Sequence, residues 1–314
     1  MTVTQAAQRL SAMDRVGLLT HVRPDGDTIG SAAALCLALR ALGKEAYLLP
    51  NPEITSTYLP YAAPCLAPEG WQPEQVVSVD VAVPGLLPES AAPYAGNIAL
   101  AIDHHPSHSY FAAESLVDAS AAACGEIVYE VIRCLTPITP AIALPLYVAI
   151  STDTGCFAYS NTTARTHAIA AALLETPLDI SGVNKALFRT KSRVRLQMEA
   201  YMAAHMELYD ADRVVVMTIP LSLRREMGAT DADIEELSSL AALVEGTDCA
   251  VTLRELDETT VKVSLRTGPR VNATEVCARL GGGGHRAAAG ATVHGTLDTV
   301  KQAVLAAVQE VTGG

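Results

Sequence analysis

Aromatic side chains are scarce in this sequence, at 4% of 314 residues, so a packed interior has to be built from Ala, Leu and Val. Half the residues are hydrophobic all the same, which excludes a disordered chain. Cysteine is neither paired nor clustered. The seven cysteines fall at 36, 65, 124, 134, 156, 249 and 277 with no CxxC spacing, which argues against a zinc ribbon or a disulfide framework. They read as small buried apolar side chains. No uninterrupted apolar run of about 18 residues occurs, and the N-terminus lacks a basic-then-apolar signal pattern, so a soluble cytoplasmic protein is expected. Positive charge is short as well: 22 Lys and Arg stand against 34 Asp and Glu, a formal charge of −12. A protein that grips long nucleic acid needs a broad basic face, and none is supplied here. A nucleic-acid substrate, if any, has to be short and locally held.

The chain is long enough for two domains. Its first half alternates strand and helix patterns. "VGLLTHV" (16–22), "EAYLLP" (45–50), "QVVSVDVAV" (75–83) and "NIALAIDHH" (97–105) read as short buried strands, and "TIGSAAALCLALRALG" (28–43) as a helix stopped by Gly43. This predicts an α/β domain with a mostly parallel sheet over 1–188. From about 120 to 210 the pattern is helical, with 189–211 as a helical connector. A smaller α/β domain follows over 212–314, with strands at 213–220, 248–257 and 260–268, the last two as a hairpin, and a closing helix.

Carboxylates and imidazoles gather where apolar strands end: His21 with Asp25 and Asp27, then Asp80, then Asp103-His104-His105. Asp153 follows another apolar stretch and precedes a glycine. Ligands of open parallel sheets bind at the carboxyl ends of strands, so neighbouring strands would bring these groups together. Oxygen and imidazole donors without thiolate suit Mn²⁺ or a similar divalent ion. Asp25, Asp27, Asp80 and Asp153 carry about −4 between them, which about two divalent cations would balance. Such a pair of ions, roughly 3.5–4 Å apart, is a known solution for phosphoester chemistry, activating a bridging hydroxide and neutralising phosphoryl oxygens. Taken alone, Asp25-Gly26-Asp27 would be a turn feeding a helix and Asp80 a plain strand end. The tandem histidines after a buried strand have little packing purpose. His108 reads as a loop residue, and His167, His205 and His294 as ordinary helix or strand positions.

Near the end, "GGGGHRAAAG" (281–290) reads either as a flexible turn or as a backbone cradle for an anion. His285 can donate to a phosphate oxygen there, and Arg266 in "VSLR" can pair with the same group.

These stretches together resemble the DHH phosphoesterase family. "HVRPDGDTIGS" looks like its first motif, "VSVDVA" the second, "IDHHPSH" the third and "STDTGCF" the fourth. "SLRTG" and "NATEVCARLGGGGHRAAAG" resemble the associated DHHA1 domain, so the resemblance spans nearly the whole chain. The compact organisation is similar to the branch that degrades short oligonucleotides and dephosphorylates 3′-phosphoadenosine 5′-phosphate (pAp). That resemblance implies that His21, Asp25 and Asp80 hold one Mn²⁺ and that Asp27, Asp80, His104 and Asp153 hold a second, with Mg²⁺ or Co²⁺ as substitutes. It further implies that Asp103 orients a ligand from behind and that His105 faces the scissile phosphate, which makes Asp80, Asp103, His104 and His105 the catalytic set. Arg266, Gly282, Gly283, Gly284 and His285 would bind the rest of the substrate, and the two domains would close over it. Partners implied are short RNA or DNA oligonucleotides and phosphorylated nucleotides, without long duplexes or membranes, and with a homodimer allowed. The chain departs from the family pattern at Ala158, where many members carry a basic residue. The run Arg189, Lys191, Arg193, Arg195 reads as a solvated connector helix, with lining of the cleft as the alternative.

The leading expectation is Mn²⁺-dependent hydrolysis of very short RNA and of pAp. The alternative is a phosphodiesterase for cyclic dinucleotides or their linear product pApA. A pyrophosphatase is disfavoured because that branch resembles the first domain only. A non-catalytic nucleotide-binding module is disfavoured because every position that matches a ligand is present.

Overall fold

Parallel strands need crossover connections, and the longest helix among them in the first half is Gly26–Ala41. A computed structural model describes residues 1–313, apart from the side chains at 232, 235 and 236. The chain divides into two compact units, Met1–Thr190 and a second from Lys191 onward.

In the first unit, β1 (Val16–Leu19), β2 (Ala46–Leu48), β3 (Gln75–Val79), β4 (Leu100–Asp103) and β5 (Glu114–Val117) form one sheet in the order β2-β1-β3-β4-β5. Every pairing in it is parallel. The expected parallel α/β architecture is the one found. β5 escaped the sequence reading because it is an edge strand with one buried side chain, Leu116, and no apolar run. β1 stops at Leu19, short of the expected Val22, and frees His21 from the sheet.

Helix Gly26–Ala41 is buried nearly all round, which suits its run of small and apolar residues. It starts two residues before the expected Thr28, because Asp25 caps it. It packs tightly on helix Pro140–Asp153. A Cβ on Gly30 would lie 2.3 Å from the Pro145 carbonyl oxygen, and one on Gly26 would lie 2.3 Å from Thr152 Oγ1. Real Cβ atoms do not come that close, so glycine at both positions sets the helix separation. Each Leu or Ile buried in the surrounding core contributes roughly 1.5–3 kcal/mol.

The second unit holds β6 (Glu207–Tyr209), β7 (Val214–Ile219), β8 (Cys249–Asp257), β9 (Thr260–Thr267), β10 (Gly283–His285) and β11 (Ala288–His294), ordered β10-β11-β9-β8-β7-β6. Only β7 and β8 run parallel. The expected hairpin is β8–β9. One face of this sheet buries Val251, Leu253, Val263, Leu265 and Ala289 under helices Ala273–Arg279 and Leu297–Thr312. On the other face, Val215, Met217, Ile219 and Ala250 form a smaller core with Met198 and Met202 of helix Arg193–Ala204 and Leu223 of helix Leu221–Met227. No helix among the described residues is long and apolar enough to cross a membrane.

Candidate metal centre

β1, β3 and β4 lie side by side, so whatever follows their C-terminal ends converges, at the point where strand order reverses. β1 leads to His21 and Asp25, β3 to Asp80, and β4 ends in Asp103 with His104 and His105 behind it. Thr28 Oγ1 donates to the Val79 carbonyl at 2.9 Å, tying the start of helix Gly26–Ala41 to the end of β3. Asp153 arrives by another route. It is the last residue of helix Pro140–Asp153 and not a strand end. The tight packing at Gly26 and Gly30 carries it to the others.

Asp80 occupies the middle. Its backbone is left-handed, with φ 60°, a conformation Asp tolerates better than most residues, and its N–H donates to the Ile102 carbonyl at 2.9 Å. Oδ2 lies 3.7 Å from His21 Nε2, whereas Oδ1 lies 3.5 Å from His104 Nε2. Asp25 Oδ1 is 3.5 Å from His21 Nε2. Asp27 Oδ2 and Asp153 Oδ2 are each 3.8 Å from His104 Nε2. These gaps are too long for hydrogen bonds. They approach the roughly 3.0–3.6 Å that two donors keep when both bind one ion at about 2.1 Å. Two donor groups result, His21–Asp25–Asp80 and Asp27–His104–Asp153, with Asp80 between them. Asp80 Oδ1 is buried and receives no hydrogen bond.

The two inner histidines are aimed by backbone carbonyls. His21 Nδ1 lies 2.8 Å from the Val22 oxygen and His104 Nδ1 lies 3.2 Å from the Ala121 oxygen. A carbonyl only accepts, so Nδ1 carries a proton and Nε2 is the nitrogen turned to the carboxylates. Asp25 caps helix Gly26–Ala41, its Oδ1 accepting from the N–H groups of Asp27 and Thr28 at 3.0 and 3.1 Å. Asp27 Oδ2 accepts from the Cys124 N–H at 2.6 Å, and its Oδ1 from the Gly125 N–H at 2.9 Å and Ser31 Oγ at 3.0 Å. It therefore sits at the N-terminus of helix Cys124–Arg133, whose dipole favours an anion.

Burial holds the carboxyl groups of Asp80 and Asp27 well above the ordinary range, and neighbouring carboxylates add to it: Asp27, Asp25, Asp103 and Asp153 around Asp80, and Asp153 and Asp25 around Asp27. Burial raises Asp153 too, against the pull of His104. For Asp25 the effect of burial is outweighed by His21, which holds the carboxyl low and is itself raised despite burial. Carboxylates crowded in this way attract divalent cations, whose charge reverses the balance.

Asp103 stands behind this cluster, fully buried. Its Oδ1 accepts from the His104 N–H at 2.9 Å and from His105 Nδ1 at 2.7 Å, and its Oδ2 from His108 Nδ1 at 2.7 Å. Burial opposes ionisation, but the two imidazoles outweigh it and the carboxyl stays low. His105 Nδ1 also lies 3.6 Å from Asp80 Oδ1, within a third donor grouping with His104. Because that nitrogen already serves Asp103, His105 belongs with Asp103. Its side chain is 41% exposed, which leaves Nε2 toward solvent. His108 lies in a loop as expected, yet its side chain is buried and bonded into the site, which the sequence reading missed. A third histidine in "DHHPSH", so close to a strand-end aspartate, was the available signal.

The remaining candidates lie in the second unit. His285 pairs with Ala288, which pairs with Arg266, so both side chains share a face about 10 Å apart, two strand spacings. The glycine run is not the expected loop: its second half is edge strand β10. Gly281, at φ 75°, ends helix Ala273–Arg279, and a Cβ on Gly282 would lie 2.2 Å from the Gly290 oxygen. A Cβ on Gly284 would lie 2.6 Å from Ala289 Cα, whereas one on Gly283 meets nothing. Of the four, Gly283 alone has neither a packing nor a conformational reason, since Gly281 needs its positive φ. Lys191 and Arg195 both pair with Glu199, at 2.7 and 3.2 Å, and the Arg195 and Glu199 side chains are largely buried. Ala158 is exposed in the turn after Asp153.

The DHH family N-terminal domain profile matches residues 15–150, and the DHHA1 domain profile matches residues 212–313. The Thermus thermophilus protein named bifunctional oligoribonuclease and PAP phosphatase NrnA is 36% identical over 300 residues, covering 93% of this chain and 89% of that protein. The Bacillus subtilis protein of the same name is 26% identical over 298 residues, covering 93% of each. An exopolyphosphatase-related protein from Bacteroides fragilis has a TM-score of 0.87 at 20% identity, over 99% of this chain and 96% of that one, a likeness of fold. With both domains matched in order and a relative aligned along nearly its whole length, the chain belongs to the DHH phosphoesterase family, as a hydrolase that joins a DHH domain to a DHHA1 domain.

Proposed function

We propose that the chain is a two-cation phosphoesterase that hydrolyses oligonucleotides of about two to five nucleotides and removes a phosphate from pAp, the short length suiting its acidic balance. The names of the Thermus and Bacillus relatives support the substrate class. The observation that carries the reading is Asp80, whose buried Oδ1 has no hydrogen-bond partner and whose two oxygens face different donor groups. A carboxylate left so is a costly defect unless a cation completes it. The residues fit such ions: His21, Asp25 and Asp80 would hold one, and Asp27, Asp80, His104 and Asp153 the other. Their oxygen and imidazole donors suit Mn²⁺, with Mg²⁺ or Co²⁺ as substitutes. When bound, the cations supply positive charge to phosphoryl oxygens and make water nucleophilic at neutral pH.

The protein's own groups do the rest. Asp103 holds the His105 proton on Nδ1 and raises the affinity of the ring for a second one. The exposed Nε2–H can then donate to a phosphoryl or leaving-group oxygen. Asp27, anchored by two backbone N–H groups and Ser31, cannot swing away as substrate arrives. We assign the first unit to catalysis and the second to substrate, with Arg266 and His285 flanking the Ala288 floor to hold a phosphate or terminal nucleotide.

The test is a substrate panel with Mn²⁺: pAp, RNA and DNA dimers to pentamers, pApA, cyclic dinucleotides and pyrophosphate. Preferred turnover of short oligonucleotides and pAp is the expected outcome. Turnover of cyclic dinucleotides alone, or of pyrophosphate alone, overturns the substrate assignment.

A further inference from the structure

The face of the second sheet that carries the smaller core also bears, beyond that core, more positive charge than Arg266 and His285 account for. Strand register sorts the side chains into rows: Ala250, Arg266, Ala288 and His285; then Thr252, Ser264, Gly290 and Gly283; then Arg254, Lys262 and Thr292. Directly paired residues share a face, and successive rows two residues apart keep to it. All three rows therefore look away from the core that holds Val251, Leu253, Val263 and Leu265. The middle row starts at Thr252, buried and donating to the Ser238 carbonyl at 3.2 Å, and only its far end, Ser264, Gly290 and Gly283, is small and at least partly exposed.

Arg254 and Lys262 stand directly opposite each other, an arrangement in which like charges repel. Neither makes an ion pair with the described residues. Arg224 adds a third cation. Its helix, Leu221–Met227, follows β7 directly and packs on β8, and Ile219 at the end of β7 is the cross-strand partner of Arg254. Arg224 Nη2 has Asp231 Oδ1 at 3.1 Å, on a side chain that is 88% exposed. The Nε atoms of Arg224 and Arg254 are both buried without a hydrogen-bond partner. Burial and then the charge of Arg224 lower the proton affinity of Arg254, with Asp231 opposing. Buried guanidinium Nε donors without acceptors are rare, and two of them, one on an arginine directly opposite a lysine, point to an anion as the missing partner.

Lys262 and Arg266 are four residues apart on β9, about 13 Å at roughly 3.3 Å per residue, too far for a single phosphate to bridge. We infer that Arg224, Arg254 and Lys262 form a second phosphate site, which holds a further phosphate of a single-stranded oligonucleotide already engaged by Arg266 and His285. The sheet face would then distinguish longer strands from dinucleotides. The identity of the ligand rests on the proposed function; the cationic site itself does not.

Binding and turnover are measured separately on the full chain. Anisotropy of a labelled adenosine pentanucleotide, without divalent cation and over a range of salt, gives Kd and its salt slope. Hydrolysis of the pentanucleotide and of pApA with Mn²⁺ gives the two KM values. The double variant Arg254→Gln, Lys262→Gln should weaken pentanucleotide binding about tenfold and flatten the log Kd against log salt slope by about 0.7, one phosphate contact on a single strand. Its KM for the pentanucleotide should rise about tenfold more than its KM for pApA. Lys262→Gln alone, an exposed change, should move both readouts the same way and covers the case in which the Arg254 variant does not fold. An unchanged salt slope with an unchanged KM ratio overturns the site and leaves the proposed function standing. Binding that depends on these residues without hydrolysis keeps the site and overturns the function. Equal competition by inorganic phosphate at matched ionic strength would mark a free-phosphate site and overturn the strand assignment.

Discussion

Replacing His108 by Phe separates the holding of Asp103 from the filling of space. The His108 ring lies 5.3 Å from the Phe111 ring and 5.1 Å from that of Tyr110, so a phenyl group keeps those contacts and leaves no cavity. What is lost is the 2.7 Å bond from Nδ1 to Asp103 Oδ2. A hydrogen bond to a charged group contributes roughly 1.5–3 kcal/mol, and a fully buried carboxylate has no water to replace it. Against this, His108 Nε2 is itself buried without a partner, and its removal relieves about 1 kcal/mol or somewhat more. The carboxylate is the more demanding group, so a net loss of about 1 kcal/mol is expected. For a unit of this size that lowers Tm by about 2–4 °C. Turnover should fall further, about 10–100-fold, because Asp103 also positions His105. The assay is kcat on pAp with saturating Mn²⁺, beside calorimetric unfolding. Turnover within twofold of wild type refutes the reasoning, and so does a loss that only tracks the unfolded fraction.

Asp80→Ala should abolish turnover while the protein stays folded; near-normal activity with Mn²⁺ would sink the two-cation reading. In EDTA the wild-type protein should lose stability as pH rises above about 4, since Asp80, Asp27 and Asp153 keep protons in the folded state that the unfolded chain has released. Mn²⁺ at a hundredfold excess over its Kd should restore about 2.7 kcal/mol at neutral pH, and a Tm in EDTA that is flat with pH contradicts the prediction. Gly282→Ala should cost about 1–3 kcal/mol through its clash with the Gly290 carbonyl, whereas Gly283→Ala should leave Tm unchanged; equal Tm values for the two would show that the hairpin yields. His285→Ala should raise KM with metal content unchanged, and an unaltered KM removes the second unit from recognition.

Much of the candidate centre was legible because its parts are local. His21 with Asp25, and Asp103 with its histidines, are separated by a few residues at strand ends, where hydrophobic patterning stops and polar groups begin. Parallel α/β organisation followed from the same alternation of short apolar runs and helices. β5 was not legible, because an edge strand with one inward side chain leaves no periodic trace. The glycine run was read as a loop, since β10 depends on a partner strand to form and glycine carries little strand propensity.

Sequence alone determined which chemical groups were available: oxygen and imidazole donors without thiolate, a deficit of positive charge, and a phosphate-suited Arg and His near the end. Tertiary structure decided how they were shared out. Strand order placed Asp80 between two donor groups, and the close contact of two helices at Gly26 and Gly30 carried Asp153 to Asp27. The folding back of one loop gave Asp103 its second imidazole, and cross-strand register set Arg254 against Lys262. Patterning along a chain reports which way a side chain faces within its own element. Contacts between elements depend on packing distance and register, which no short stretch of sequence encodes.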